Sequence, residues 1–178
     1  KFNDFWNPVL QIAALLCVSE NEENYVERFR DFQSLLMFPS LPDLDPSIWK
    51  EIFEKILFPV MNQLTIFAQK KNGQSGQKAM MMAKLLMNSF LFALHQLIKL
   101  TCFESIWYRI LKSALDLTKV KDDDVKEAIP EMLSNALRVM KTSGVFDSPQ
   151  RQKMWDVTKQ AIESSFPTFI VSFLDENL

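Results

Sequence analysis

The chain has 178 residues, nearly half of them hydrophobic and 15 of them Phe, which is ample material for one core. A net charge of −2 implies no basic face, so nucleic acid is not an expected partner. With only three Gly, at 73, 76 and 144, tight positive-φ turns are scarce, hairpins are disfavoured and no Gly-rich phosphate cradle can form.

Helical spacing recurs along the whole chain. The first helix is expected over Asp4 to Val18, with Pro8 in its first turn. The chain opens on "KFNDFWNPVL", which has no Met and no signal-peptide pattern, and is expected to be a piece of something longer. A second helix spans Glu22 to Phe38, with Tyr25, Phe29, Phe32 and Leu36 on one stripe.

After "PSLPDLD", Asp45 is an N-cap and Pro46 the first helical residue of the third helix. Trp49, Ile52, Phe53, Ile56, Val60 and Leu64 share one face of it. Pro59 interrupts this pattern, removing a backbone donor and crowding the preceding turn. A kinked continuous helix and two helices with a tight joint both fit. The four-residue spacing across Pro59 favours the kink, and apolar flanks predict that the kink is buried. Pro130, in "KEAIPEMLSNALRVM", poses the same question.

"KKNGQSGQ", Lys70 to Gln77, reads as a flexible loop. The fourth helix, Ala79 to Leu100, is apolar nearly all round. Its charge-free run between Lys84 and Lys99 has only 14 residues, too few to cross a membrane, so a buried helix is expected. Met80, Met81, Met82 and Met87 are expected in the core, with a Met-rich docking surface as the alternative.

Thr101 and Glu104 have capping-box spacing at the start of the fifth helix, whose stripe is Phe103, Ile106, Trp107, Ile110, Leu111 and Ala114. The sixth begins at "DDD", Asp122 to Asp124, and ends at Gly144. Ser148 and Pro149 start a seventh helix, to about Ser165, and a short eighth follows Pro167. The fold expected is all-α, an irregular HEAT- or armadillo-like array of about eight helices in hairpins within one module, with a compact bundle as the rival. Trp49, Trp107 and Trp155 lie on apolar stripes and are expected to be mostly buried.

The chemistry-bearing residues are few. His95 is the only histidine and lies in an apolar helix, where a satisfied core or groove role is expected rather than catalysis. Cys17 and Cys102 lack metal-site spacing and are expected to be buried reduced thiols, with a disulfide as the alternative. Asp122 to Asp124 lack the alternation and Gly of a calcium loop and suit a solvated helix start. Glu22 and Glu23 sit on a polar face, and "QRQK" at 150–153 reads as a solvated first turn. No catalytic, cofactor or metal site is expected, and no binding residue can be named.

Three blocks carry a family resemblance. "WKEIFEKILFPVMNQL" from Trp49 to Leu64, "EAIPEMLSNALRVMKTSGVF" from Glu127 to Phe146, and "MWDVTKQAIESSFPTF", which includes a Phe-Pro turn, occur in matching order. They resemble the region downstream of the catalytic domain in large Arf guanine-nucleotide exchange factors of the Golgi-specific, brefeldin-A-resistance (Gea/Garz) class. The resemblance implies a non-catalytic "homology downstream" module that regulates and recruits such a factor in early Golgi traffic. It implies a cytoplasmic location, peripheral at Golgi membranes. The partners it implies are other domains of the parent factor, Rab-type or Arf GTPases, and a Golgi or lipid surface. The exchange domain of that class works through an invasive glutamate, and no "FRLPGEAQ"-like segment occurs here. The alternatives are a HEAT-type protein-interaction adaptor and a helical module that binds a membrane surface directly. For the latter, "FPTFIVSFLDENL" is apolar, but its Asp175 and Glu176 disfavour anionic lipid.

Overall fold

A computed structural model describes residues 2–19, 24–38, 45–70 and 74–166, and among these the only regular secondary structure is helical. The helices are α1 (Phe2–Val18), α2 (Tyr25–Leu36), α3 (Pro46–Ile52), α4 (Phe58–Lys70), α5 (Gln74–Phe92), the single turn α6 (Leu94–Leu97), α7 (Phe103–Leu117), α8 (Asp123–Thr142) and α9 (Pro149–Ser165). A π-helical turn, Phe53–Leu57, joins α3 to α4. Helices adjacent in sequence pack as pairs, α1 on α2, α4 on α5 and α7 on α8. The result is a repeat-like array of about eight helical runs, as the sequence periodicity suggests. The expected eighth helix after Pro167, and Glu22 and Glu23, lie outside the described residues.

α5 is the hub. It touches α2, α4, α6, α7 and α8, and it buries residues on all but one narrow side, from Ala79, Met80, Met82 and Ala83 to Leu86, Met87 and Phe90; the open side carries Gln77, Met81, Lys84 and Asn88. An all-round apolar helix is soluble only when other elements surround it. The expected single helix to Leu100 instead breaks at Ala93, whose ψ of 3° leaves the helical range. His95 lies after this break and is exposed, which corrects the expectation of a core or groove histidine. The "KKNGQSGQ" loop is also shorter than expected, because α5 already begins at Gln74. Gly76 is helical for a packing reason: a Cβ there would stand 2.8 Å from Asp122 Oδ2.

Two N-caps and one C-cap follow local chemistry. Asp45 Oδ1 accepts from Ser47 N at 2.8 Å, and Asp122 Oδ1 from Val125 N at 3.3 Å. α8 ends in a Schellman motif. Gly144 takes φ +68°, its N–H donates to Lys141 O, and Val145 N donates to Met140 O at 2.9 Å. The expected capping box is not formed: the N-cap of α7 is Cys102, without a side-chain bond, and Thr101 is exposed in the turn before it. α1 starts two residues earlier than expected, which places Pro8 beyond its first turn.

The backbone stays helical through Pro59, and the preceding turn is the adjustment that allows it. Phe58 N–H reaches back five residues to Phe53 O, and Phe58 itself is α-helical at φ −66° and ψ −42°. Widening this turn opens space where the proline ring would meet the carbonyl four residues earlier. Glu54, Lys55 and Pro59 are all exposed, so this side of the helix faces water. The expectation of a buried kink is therefore corrected: the core stripe of Trp49, Ile52, Phe53, Ile56, Val60 and Leu64 lies elsewhere on the helix and is buried throughout. Pro130 likewise sits inside an unbroken α8.

Trp107 joins three helices. Its ring is fully buried against Phe90 of α5 at 5.4 Å, and its Nε1–H donates to Thr158 Oγ1 of α9 at 2.8 Å. Trp49 is also fully buried, whereas Trp155 is half-buried against Phe146 at 5.1 Å, because the N-terminal end of α9 is covered on one side only. Trp107→Ala is expected to cost about 3–5 kcal/mol in a urea titration, the range for truncating a buried aromatic; a loss below about 1 kcal/mol would contradict this packing. Pro59→Ala is expected to gain well under the ~3 kcal/mol that an interior helical proline costs, because the π turn already relieves it. A full gain measured the same way would show that it does not.

Candidate interaction surface

Among the described residues no three of His, Cys, Asp and Glu gather closely enough to hold a metal ion, and no helix is long and apolar enough to cross a membrane. Cys17 and Cys102 are both free thiols. Burial pushes the Cys17 thiol up to about 12; Arg28 pulls against that rise and Asp31 adds to it. Cys102 is only half-buried, which departs from the expected burial. The acidic triplet divides by role: Asp122 caps α8, Asp123 pairs with Lys126 at 2.9 Å, and Asp124 is exposed.

What the fold does offer is a groove floored by α5. On one side, α2 and α5 enclose about 290 Å³ lined by Val26, Arg30 and Gln33 from α2 and by Met81, Lys84 and Asn88 from α5. A second cleft of about 260 Å³ lies toward the start of α8, with Tyr25, Gln77, Asp122 and Asp124 on its walls. Both clefts are lined by Met81 and Lys84. The lining therefore combines an apolar floor with two cations in the first cleft and two carboxylates in the second. Recognition of a peptide uses this mixture, apolar contact for affinity and placed charge for orientation.

The geometry of these walls is set by polar contacts between elements. Tyr25 Oη donates to Gln77 Oε1 at 2.8 Å, which ties the start of α2 to the start of α5. Lys78 is buried, with its Nζ donating to Ser19 O at 3.3 Å and lying 5.4 Å from the Tyr25 ring centroid. Of the methionines singled out in the sequence, Met80, Met82 and Met87 are core, and only half-buried Met81 faces both clefts. The signal that separates Met81 from its neighbours is its phase on α5, shared at three- and four-residue spacing with Gln77, Lys84 and Asn88.

Outside this groove, the "QRQK" turn is structural at one position. Arg151 Nη2 donates to Ile98 O at 2.8 Å and its guanidinium lies 5.0 Å from the Phe103 ring centroid, so it holds the start of α9 against the α6–α7 turn. Arg109 stacks on Phe58 at 3.8 Å, joining α7 to α4. Asp116 is pushed up by partial burial, but hydrogen bonds from Lys112 and Lys119 outweigh that and hold its carboxyl below the usual range.

The architecture is a helical repeat-like array, and its described surface carries two open clefts on α5. The model of the family described as "GBF1-like, tetratrico peptide repeat region" matches residues 6–169. The chain belongs to this family. The family description gives the repeat the tetratrico peptide name, where the sequence period suggested HEAT or armadillo. The chain is similar to the ARF guanine-nucleotide exchange factor GNOM of Arabidopsis thaliana, at 27% identity over 176 residues, covering 93% of this chain and 12% of that protein. It is similar to the Golgi-specific brefeldin A-resistance guanine nucleotide exchange factor 1 homolog of Caenorhabditis elegans, at 24% identity over 171 residues, covering 95% of this chain and 9% of that protein. A third relative is the ARF guanine-nucleotide exchange factor GNL2 of Arabidopsis thaliana, at 23% identity and covering 59% of this chain and 9% of that protein. The chain thus spans about a tenth of the curated relatives it matches. No solved structure matches it. The resemblance read from the proline-containing blocks is to this same group of proteins.

The two thiols give a direct check on the site chemistry. With a pKa of about 12, Cys17 is ionised at roughly one part in ten thousand at pH 8. Iodoacetamide is expected to label Cys102 alone in the native protein at that pH and both cysteines after unfolding, as counted by mass spectrometry. Native labelling of Cys17 would contradict its burial.

Proposed function

We propose that this chain is one non-catalytic α-helical module of an Arf guanine-nucleotide exchange factor, serving recruitment and regulation in early Golgi traffic. The observation that carries the reading is the family match over residues 6–169, together with relatives whose names are those of Arf exchange factors and, in one case, of a Golgi-specific one. The module acts in the cytoplasm at the Golgi surface. Its groove over α5 takes a segment of a protein partner: another domain of the parent factor, or an Arf or Rab-type GTPase.

Geometry supports binding over catalysis. Gathered carboxylates, an activated nucleophile or a phosphate cradle would each need a cluster of polar groups in an enclosed site. The clefts on α5 are open instead and mix apolar with charged walls. Met81 supplies an adaptable apolar contact, and Arg30, Lys84, Asp122 and Asp124 orient what lies on it.

The purified chain is expected to leave the rate of nucleotide release from any Arf GTPase at its uncatalysed value. In the full-length factor, Met81→Asp with Lys84→Glu is expected to leave exchange in solution unchanged and to reduce Golgi recruitment severalfold, measured as the membrane-bound fraction. Release accelerated by the chain alone, or full recruitment of the double variant, would overturn the proposal.

A further inference from the structure

α1 carries no charged residue from Phe5 to Val18. One of its faces is buried on α2, the π turn and α4 through Leu10, Ala14 and Cys17, each no more than 2% exposed. The opposite stripe holds Ile12 at 60%, Leu15 at 67% and Leu16 at 51% exposed, flanked by Pro8 and Gln11. α8 shows what a water-facing helix of this fold looks like: its outer positions are Lys126, Glu127, Glu131, Arg138 and Lys141. A helix that is apolar on opposite faces belongs between two layers, not at a surface.

Repeat arrays supply such a layer. Each helical pair leaves an apolar face that the next pair covers, and a pair that ends the array carries a polar outer face instead. α1 lacks that polar face, and residues 6–169, which include most of it, lie within the repeat region of the family. The curated relatives continue far beyond the matched segment, of which it forms 12% and 9%. We infer that the Ile12–Leu15–Leu16 stripe is covered by an α-helix of an adjoining repeat in the same, longer polypeptide. That helix presents its own apolar stripe at three- and four-residue spacing and packs at roughly 8–10 Å between axes.

Two other coverings fit less well. A second copy of the chain would need on the order of 800 Å² from each partner for a stable interface, and three side chains on one helix supply only part of that. A lipid surface is attracted by Lys or Arg along the rim of the apolar face, and α1 offers none between Phe5 and Val18. This inference rests on family membership and on α1. It does not depend on the groove over α5.

The test uses the full-length exchange factor that carries this sequence, with a photoreactive benzophenone amino acid in place of Leu15. Irradiation and peptide mapping are expected to give an intramolecular cross-link to a helical segment outside these 178 residues. A cross-link to a second copy, to another protein or to lipid, or reaction with solvent alone, would each overturn the inference. As a second arm, Leu15→Glu in the same full-length protein is expected to raise the rate of limited proteolysis near α1 by roughly tenfold, because a charge would be forced into an apolar contact. Leu15→Ala is expected to give a smaller rise in the same direction. Unchanged proteolysis in both variants would show that the stripe is exposed in the complete protein.

Discussion

Everything in this fold is arranged around the need to cover α5. Its buried residues occupy every side but that of Gln77, Met81, Lys84 and Asn88, so no single partner helix can shelter it. α4 covers one flank, α2 another, and α7 and α8 the rest. The three-helix joint at Phe90, Trp107 and Thr158 extends this enclosure to α9 through one aromatic contact and one buried hydrogen bond. The same enclosure leaves a single cost visible among the described residues, the buried Ser89 Oγ without a partner. α5 also supplies the floor of the groove, so the element that organises the core is the one that lies open in the clefts. A floor held from several sides moves little, which favours binding without large rearrangement.

The sequence disclosed the elements better than their breaks. The stripes of α2, α4 and α7 were legible because 3.6-residue periodicity directly records which side is buried. Asp45 and Gly144 were legible because caps and C′ glycines have local chemistry, whereas Asp122 read only as part of an acidic helix start. The break at Ala93 was not, since no Gly, Pro or Asn marks it and the flanking residues are uniformly apolar. Gly76 misled for the opposite reason. It looks like loop material, yet its role is to admit Asp122 from a helix that begins nearly fifty residues later. Tertiary proximity of that kind has no local signature.

The candidate surface was only partly legible. The methionine run was visible, but its assignment to core or groove depends on the phase of α5, which a three-residue run cannot define. Arg151 reads as a solvated cation, and no sequence signal marks Lys78. Each in fact satisfies a backbone carbonyl where a chain segment ends, at Ile98 and at Ser19, and each lies over an aromatic ring. Long cationic side chains reach such sites because their aliphatic stems tolerate burial while the head finds an acceptor. The family resemblance, by contrast, was carried by sequence order alone and needed no coordinates.

The π turn before Pro59 has a meaning beyond relief of one proline. A π turn adds one residue to a helix, and each residue of an α-helix turns it by about 100°. The segments on either side are therefore indexed differently: α3 aims Trp49 at Phe92, near α6, while α4 aims its apolar side at α5 and α7. The turn works as an angular vernier inside one rod, letting a single length of helix serve two sets of neighbours. A one-residue insertion or deletion in this rod would then act as a rotation of half the array against the other half, and not as a change in length.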